Sequence, residues 1–261
     1  MFLEKIEECK RAEIAKLRER FGKEDWDRAR RMPPGRSLQA ALSKQTGLSL
    51  IAEVKPASPS KGVIRSEVNP VQVAKGYENG GAAAVSVLTD VSFFYGNPES
   101  LRAVKEAVQI PVLRKDFILD PLQVLESKLL GADAILLIVA LLEEDRLQEL
   151  SSIAHRLEME VLVEVHAEKE IPAATRCGAD VIGINNRNLH TFVTDLATTE
   201  RLRPLISASV PVIGESGVFS IGDAKRMLAA GVDGLLIGEY LMRQTDPGAA
   251  VKELIEGTRY E

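Results

Sequence analysis

The sequence predicts an α/β chain folded as one (β/α)8 TIM barrel with an N-terminal helical extension. Three observations carry this. Short continuous runs of Ile, Leu and Val recur along the chain, the habit of strands buried on both faces in a parallel sheet. Helical patterns alternate with these runs after residue 48. Five runs end in, or enclose, a charged or amide residue: Leu50-Ile51-Ala52-Glu53-Val54-Lys55, Val112-Leu113-Arg114-Lys115-Asp116, Val161-Leu162-Val163-Glu164-Val165, Val181-Ile182-Gly183-Ile184-Asn185-Asn186-Arg187 and Val212-Ile213-Gly214-Glu215-Ser216. A charge in such a strand is costly unless paired or solvated. Five at the C-terminal ends of strands imply one shared polar site, at the end where barrels carry their chemistry.

The elements follow in order. Residues 1–48 form the extension and 49–261 the barrel, a length that suits one such domain. In the extension Leu3, Ile6, Ala12, Ile14 and Leu17 give a charged amphipathic helix. Pro33-Pro34-Gly35 then breaks the chain, and Ser37 to Leu42 adds a helical turn. Pattern alone leaves open whether this extension is a lid over one mouth or a plug at the bottom. Strands are expected near Leu50, Ala84, Pro111, Ala134, Val161, Val181, Val212 and Leu235. Asn69-Pro70 and Asp120-Pro121 place a cap residue before Pro at the first helical position. Asp145 to Leu157 puts Leu147, Leu150, Ile153, Ala154 and Leu157 on one helical face. Gly81-Ala82, Gly131-Ala132, Gly178-Ala179 and Gly231-Val232 each precede an even-numbered strand, and Asp133, Asp180 and Asp233 follow the last three. Glycine suits the left-handed helix cap, and four such marks read as four copies of a two-strand unit.

Composition excludes several functions. The chain is 45% hydrophobic and 27% charged, with net charge -5, and no basic tract points to nucleic acid. It begins MFLEKIEECKRAEIAK without an apolar signal segment, and no run of 18 apolar residues offers a membrane span. A cytoplasmic protein is expected, with Cys9 and Cys177 as reduced thiols, although sequence leaves their pairing open.

Side chains alternate along a strand. Ile51, Glu53 and Lys55 therefore share a face, as do Leu113 with Lys115, Leu162 with Glu164, and Gly183 with Asn185 and Arg187. If Ile51, Leu113 and Leu162 fill the barrel, two lysines and two glutamates converge above them. Opposed acids and bases in a partly dry site are equipment for proton transfer. The plainer alternative is a structural ion-pair network, Glu53 with Lys55 or Lys115 with Glu164. Gly214-Glu215-Ser216-Gly217 and Gly238-Glu239 follow the last two strands, where barrels commonly bind phosphate on backbone amides. Phe93, Phe94, Phe117, Leu136 and Leu189 suggest an apolar pocket for a flat ring at the same rim. Ser58-Pro59-Ser60-Lys61-Gly62, directly after strand one, could hold an anion.

Joined to that strand, the segment reads IAEVKPASPSKG and resembles the first-strand signature of the indole-3-glycerol phosphate synthase family of tryptophan biosynthesis. The likeness continues in order through SVLTDVSFFYG, VLRKDF, VEVH, IGINNRNL, GESG and LLIGEYLM. It implies a decarboxylating lyase that closes the ring of 1-(2-carboxyphenylamino)-1-deoxyribulose 5-phosphate. By the same resemblance Lys115 is the general acid and Glu164 the general base. Lys55 would bind the substrate carboxylate and serve as a second acid, while Glu53 and Asn185 orient lysines and substrate hydroxyls. Substrate contacts fall to Ser58, Phe94, Phe117, Leu136, Arg187, Leu189, Glu215, Ser216, Gly217, Gly238 and Glu239. Glu239 would act through its backbone with its side chain turned outward.

No metal or cofactor is called for, since His155, His166 and His190 lack ligand-like spacing with Cys. The partner expected is a small sugar phosphate, with association with other pathway enzymes left open. The nearest rival is phosphoribosylanthranilate isomerase, whose acid–base pair is a Cys and an Asp. Neither cysteine here stands at a strand's C-terminal end. A non-catalytic phosphate-binding barrel would keep the glycines but has no need of Lys115 together with Glu164.

Overall fold

Eight parallel strands close on themselves in chain order, each hydrogen-bonded to the next and the last to the first. They are β1 (Ser49–Val54), β4 (Ala84–Leu88), β5 (Val112–Lys115), β6 (Ala134–Ile138), β7 (Glu160–Val165), β8 (Val181–Asn185), β9 (Val212–Glu215) and β10 (Gly234–Ile237). The computed structural model describes residues 2–43, 47–59, 61–189 and 191–259. Ser60, His190 and the side chain of Leu3 lie outside the described residues. A short hairpin, β2 (Ala57–Ser58) with β3 (Gly62–Val63), follows β1.

Thirteen described α-helices surround or cap the barrel: α1 (Phe2–Arg20), α2 (Lys23–Arg31), α3 (Leu38–Ser43), α4 (Pro70–Asn79), α5 (Val91–Phe94), α6 (Pro98–Ala107), α7 (Pro121–Leu130), α8 (Glu144–Arg156), α9 (Ile171–Arg176), α10 (Ala197–Leu202), α11 (Ile221–Ala229), α12 (Glu239–Arg243) and α13 (Pro247–Gly257). The expected caps form. Asn69 accepts from Gln72 N at the start of α4, and Asp120 accepts from Leu122 N at the start of α7. Leu147, Leu150, Ile153 and Ala154 are the buried face of α8, and Leu157 caps it.

Period-two alternation divides the strands between two cores. Ile51, Leu113, Leu136, Leu162, Val181, Ile213 and Leu236 fill the barrel. Leu50, Val85, Val112, Ile135, Val161, Ile182 and Leu235 face the helices.

The four glycine marks behave alike. Gly81, Gly131, Gly178 and Gly231 have φ of +94°, +90°, +76° and +88°. The aspartates that follow three of them turn back to the preceding strand. Asp133 accepts from Val112 N, Asp180 from Val161 N and Asp233 from Val212 N, each at 2.8 Å. Strands three and four, five and six, and seven and eight are thus clipped in pairs at their N-terminal ends.

The extension serves both ends. Leu38 and Leu42 of α3 enter the inner core from below, and Ser49 Oγ donates to Leu42 O at 2.7 Å. Gln39 N donates to Glu160 at 2.8 Å, and Arg36 N donates to Asp133 at 2.7 Å. At the other end α1 lies against the mouth. Its Ile6 joins the inner core. Its fully buried Lys10 stands 2.9 Å from Asp90 and 2.8 Å from Asp116, just beyond β4 and β5. Lid and plug are therefore two parts of one segment. Sequence could not separate them because both are short amphipathic helices, and the face each covers depends on the route of the chain between them.

Candidate active site

The strand ends bring the charged side chains together. Lys115 closes β5, with its ammonium 3.3 Å from Glu164 of β7 and 3.4 Å from Glu215 of β9. Lys55, one residue past β1, lies 3.2 Å from Glu53. Asn185 ends β8, and its side-chain oxygen accepts from Arg187 N at 3.0 Å. Glu53, Glu164 and Glu215 are almost wholly buried. Two glycines make room for them. A Cβ on Gly183 would fall on Glu215 Oε1, and one on Gly238 would fall on Glu53 Oε2.

Three buried carboxylates near one ammonium cannot all ionise freely. Burial works against the charge on Lys115, but Glu215, Glu164 and Glu53 outweigh it, and the ammonium is held above its ordinary range. Burial alone would raise Glu164. Lys115, with help from His166 and Asn185, reverses this and keeps it ionised, below the usual carboxylate range. Glu215 goes the other way. Burial and its carboxylate neighbours Glu164 and Glu53 prevail over Lys115 and push it up to about 8. At neutral pH the free site therefore holds an ammonium, a carboxylate and a carboxylic acid within one cluster. The ion pairs of the plainer reading are all present, but Glu215 adds a second buried acid that shares a hydrogen bond with Glu164. A network built only for stability gains nothing from burying two carboxyl groups against each other.

Two adjoining clefts open from this cluster and share Glu53, Lys55, Lys115, Arg187 and Ser216. The larger, about 720 Å³, has an apolar wall of Phe94, Phe117, Leu136 and Leu189. The rings of Phe94 and Phe117 are 5.9 Å apart, and the Lys55 ammonium lies 5.4 Å from the Phe94 ring centre. The smaller, about 470 Å³, is lined by Ser216, Gly217, Gly238 and Glu239. Ser216 and Gly217 have φ of +63° and +89°. A serine held there is strained, and its surroundings must impose the turn. Asn186 does so, donating to Glu215 O and Ser216 O at 3.1 Å each while Thr199 holds its own oxygen. No side chain caps the start of α12, so its first amides are unclaimed by one.

Fifteen of the sixteen expected site residues line these clefts. Ser58 lines neither: it is buried in β2 with its hydroxyl unpartnered, and Pro59 takes its place at the rim. Phe93 packs against the inner core beside Phe94. Glu239 does not turn outward. Arg243 at 3.0 Å and Arg187 at 3.8 Å draw its carboxylate along the rim. Sequence reading also passed over Phe192, Asp90 and Asp116, which line the larger cleft, and Asn186, which holds the turn. Glu215 was legible as a contact, and its pairing with Lys115 follows from alternation, since Ile213 on the same face is an inner-core residue.

A family model described as indole-3-glycerol phosphate synthase matches residues 3–254. The chain belongs to the indole-3-glycerol phosphate synthase family. It is 45% identical to the indole-3-glycerol phosphate synthase of Carboxydothermus hydrogenoformans, over 98% of this chain and all of that protein. It is 52% identical to the synthase of Dehalococcoides mccartyi strain CBDB1, over 79% of this chain and 81% of that one. Among solved structures, the thiamine phosphate pyrophosphorylase of Pyrococcus furiosus superposes with a TM-score of 0.62 over 85% of this chain and 98% of that one. At 18% identity that likeness shows the barrel alone.

Neither cysteine lines the two clefts. Cys177 caps α9 and Cys9 lies in α1, both as free thiols. Burial pushes the Cys177 thiol up to about 11, so it is un-ionised at neutral pH. No described helix is long and apolar enough to cross a membrane.

Proposed function

We propose that Lys115 is the general acid and Glu164 the general base of the synthase reaction. The chain converts 1-(2-carboxyphenylamino)-1-deoxyribulose 5-phosphate to indole-3-glycerol phosphate, carbon dioxide and water. One observation carries the assignment: the Lys115 ammonium lies between Glu164 and Glu215, on the floor shared by an apolar cleft and a glycine-rich one.

The substrate has three parts, and the clefts divide among them. Its aromatic ring lies against Phe94, Phe117, Leu136 and Leu189. Its carboxylate meets Lys55. Its phosphate takes the amides of Ser216, Gly217 and the start of α12, at the site barrels commonly use for phosphate. Arg187 serves the same end and offsets the nearby charge of Glu239. In this pose the ring carbon that carries the carboxylate attacks the ketone carbon. Lys115 gives its proton to the ketone oxygen, so no free alkoxide forms. The bond to the carboxylate then breaks, and its electron pair restores the aromatic ring as carbon dioxide leaves. In the second stage Glu164 takes a proton from the neighbouring methylene carbon. The new hydroxyl leaves as water with a second proton, for which Lys55 and Lys115 are the nearest donors. Two protons are given and one is taken, so each turnover draws one from solvent. Glu53 and Asn185 hold the lysine, the base and the substrate hydroxyls in register. We place the reaction in the cytoplasm, a reading supported by the two free thiols.

Incubating the chain with this substrate tests the assignment by appearance of indole fluorescence. Turnover that survives Lys115→Ala and Glu164→Gln together would remove both residues from the mechanism.

A further inference from the structure

His166 is a partly buried titratable group that the reaction above leaves unused. It follows β7 directly and reaches Glu164 from the side away from Lys115. Its Nε2 lies 3.2 Å from Glu164 Oε1, while Lys115 Nζ lies 3.3 Å from Glu164 Oε2. The two oxygens of the proposed base thus face two different cationic groups. On the far side of the ring, Nδ1 lies 3.6 Å from Glu170 Oε2, and that same oxygen accepts from His166 N at 2.6 Å. Both ring nitrogens are buried, and each faces a carboxylate oxygen. A ring kept only for packing would not need both nitrogens aimed at carboxylates, and their desolvation is costly. The arrangement suits a charged ring held electrostatically in line between Glu170 and Glu164.

We propose that His166 is a positioning residue for Glu164. It fixes the carboxylate from the side opposite Lys115 and thereby sets the orientation and ionisation of the proposed base. Glu170 in turn keeps the ring in place. The inference rests on the assignment of Glu164 as base. The charged groups that act on His166 are Glu164 on its own strand and Glu170 beside α9. Burial opposes the charge on the ring, but these two carboxylates prevail and raise it to about 10, so the ring is cationic at neutral pH.

The test is a pH–rate comparison of His166→Gln, Glu170→Gln and Glu164→Gln with the parent chain. His166→Gln keeps a polar group of similar reach but removes the charge. Its kcat should fall by roughly 10- to 100-fold, the scale of a misplaced catalytic group. KM should hold, because the clefts are untouched. The acid limb of kcat/KM should move to higher pH by about 1–3 units, because an ionised carboxylate has lost a neighbouring cation. Glu170→Gln should move the basic limb to lower pH, because the ring then gives up its proton more readily. This second variant keeps the inference exposed if the first fails to fold. Limbs that stay in place in both variants would overturn the clamp, whatever the change in melting temperature. If Glu164→Gln abolishes turnover while His166→Gln leaves rate and profile intact, only the clamp is lost. If Glu164→Gln turns over normally, the base assignment falls and the clamp with it.

Discussion

At the N-terminal end of the barrel, Asp133, Asp180 and Asp233 each accept from a backbone amide of the neighbouring strand, and α3 seals the opening with Leu38 and Leu42. At the C-terminal end, Glu53, Glu164 and Glu215 crowd round two lysines, and Glu215 is held as a neutral acid. The same strands feed both ends. The difference is the partner each carboxylate meets. Below, a fixed backbone donor holds each of them, with Lys105 also on Asp133 and His155 on Asp180, which adds stability. Above, the partners are movable protons on side chains, so the arrangement costs stability and gains chemistry. The lower end specifies the fold, and the upper end is what the fold holds open.

Substitutions at each end should separate the two roles. The largest effect belongs to the upper end. Lys115→Ala should lower kcat by roughly 10²–10⁴-fold with a much smaller change in KM, measured by steady-state fluorescence. Lys115→Arg should not restore the rate, because arginine keeps the charge but hardly gives up a proton. Near-normal turnover of the Arg variant would reduce Lys115 to an electrostatic part and make Lys55 the acid.

The lower end should answer in stability. Leu42→Ala leaves a cavity beneath the inner core and should cost about 2–5 kcal/mol in denaturant unfolding. The kcat per folded molecule should stay unchanged. A loss of kcat without loss of stability would show that the plug shapes the mouth, and the division between the ends would fail.

A third substitution reads the cost of the upper end directly. Glu215 has its pKa raised from the ordinary 4.5 to about 8 in the folded chain. Its contribution to stability is full below pH 4.5 and is lost as pH climbs through about 8. Glu164 is held low and contributes in the opposite sense, above its ordinary value. Glu215→Gln keeps the neutral form at every pH. Its melting temperature should therefore fall less than the parent's between those two values. An identical slope would mean that Glu215 is ionised throughout.

The smallest effect is expected from Ser216→Ala. The backbone amides remain, so the loss is one neutral hydrogen bond of about 0.5–1.5 kcal/mol, seen as a raised KM. An unchanged KM would move the phosphate away from this turn.

The lower end was the more legible in sequence, because its signals are local. Gly131-Ala132-Asp133 and its repeats mark cap and clip within three residues, and strand alternation assigns Ile51, Leu113 and Leu162 to the interior. The upper cluster was half legible. Lys115 and Glu164 stand out as charges in apolar strands, but which carboxylate keeps its proton depends on distances among β1, β5, β7 and β9. Lys10 was hidden for a related reason. In the sequence it looks like any charged position of a surface helix, and only the docking of α1 onto Asp90 and Asp116 buries it. Glu239 misled because Arg243 is one helical turn away and takes its side chain along the rim.

The three aspartate clips also bear on how such a barrel could be cut and rejoined. Each clip joins an odd-numbered strand to the even-numbered strand after it, and none bridges β6 to β7. A break in the loop between β6 and α8 would leave every clip inside one fragment. A break between β5 and β6 would place Val112 and Asp133 on different pieces. The chain therefore has preferred seams, and they fall between strand pairs rather than within them.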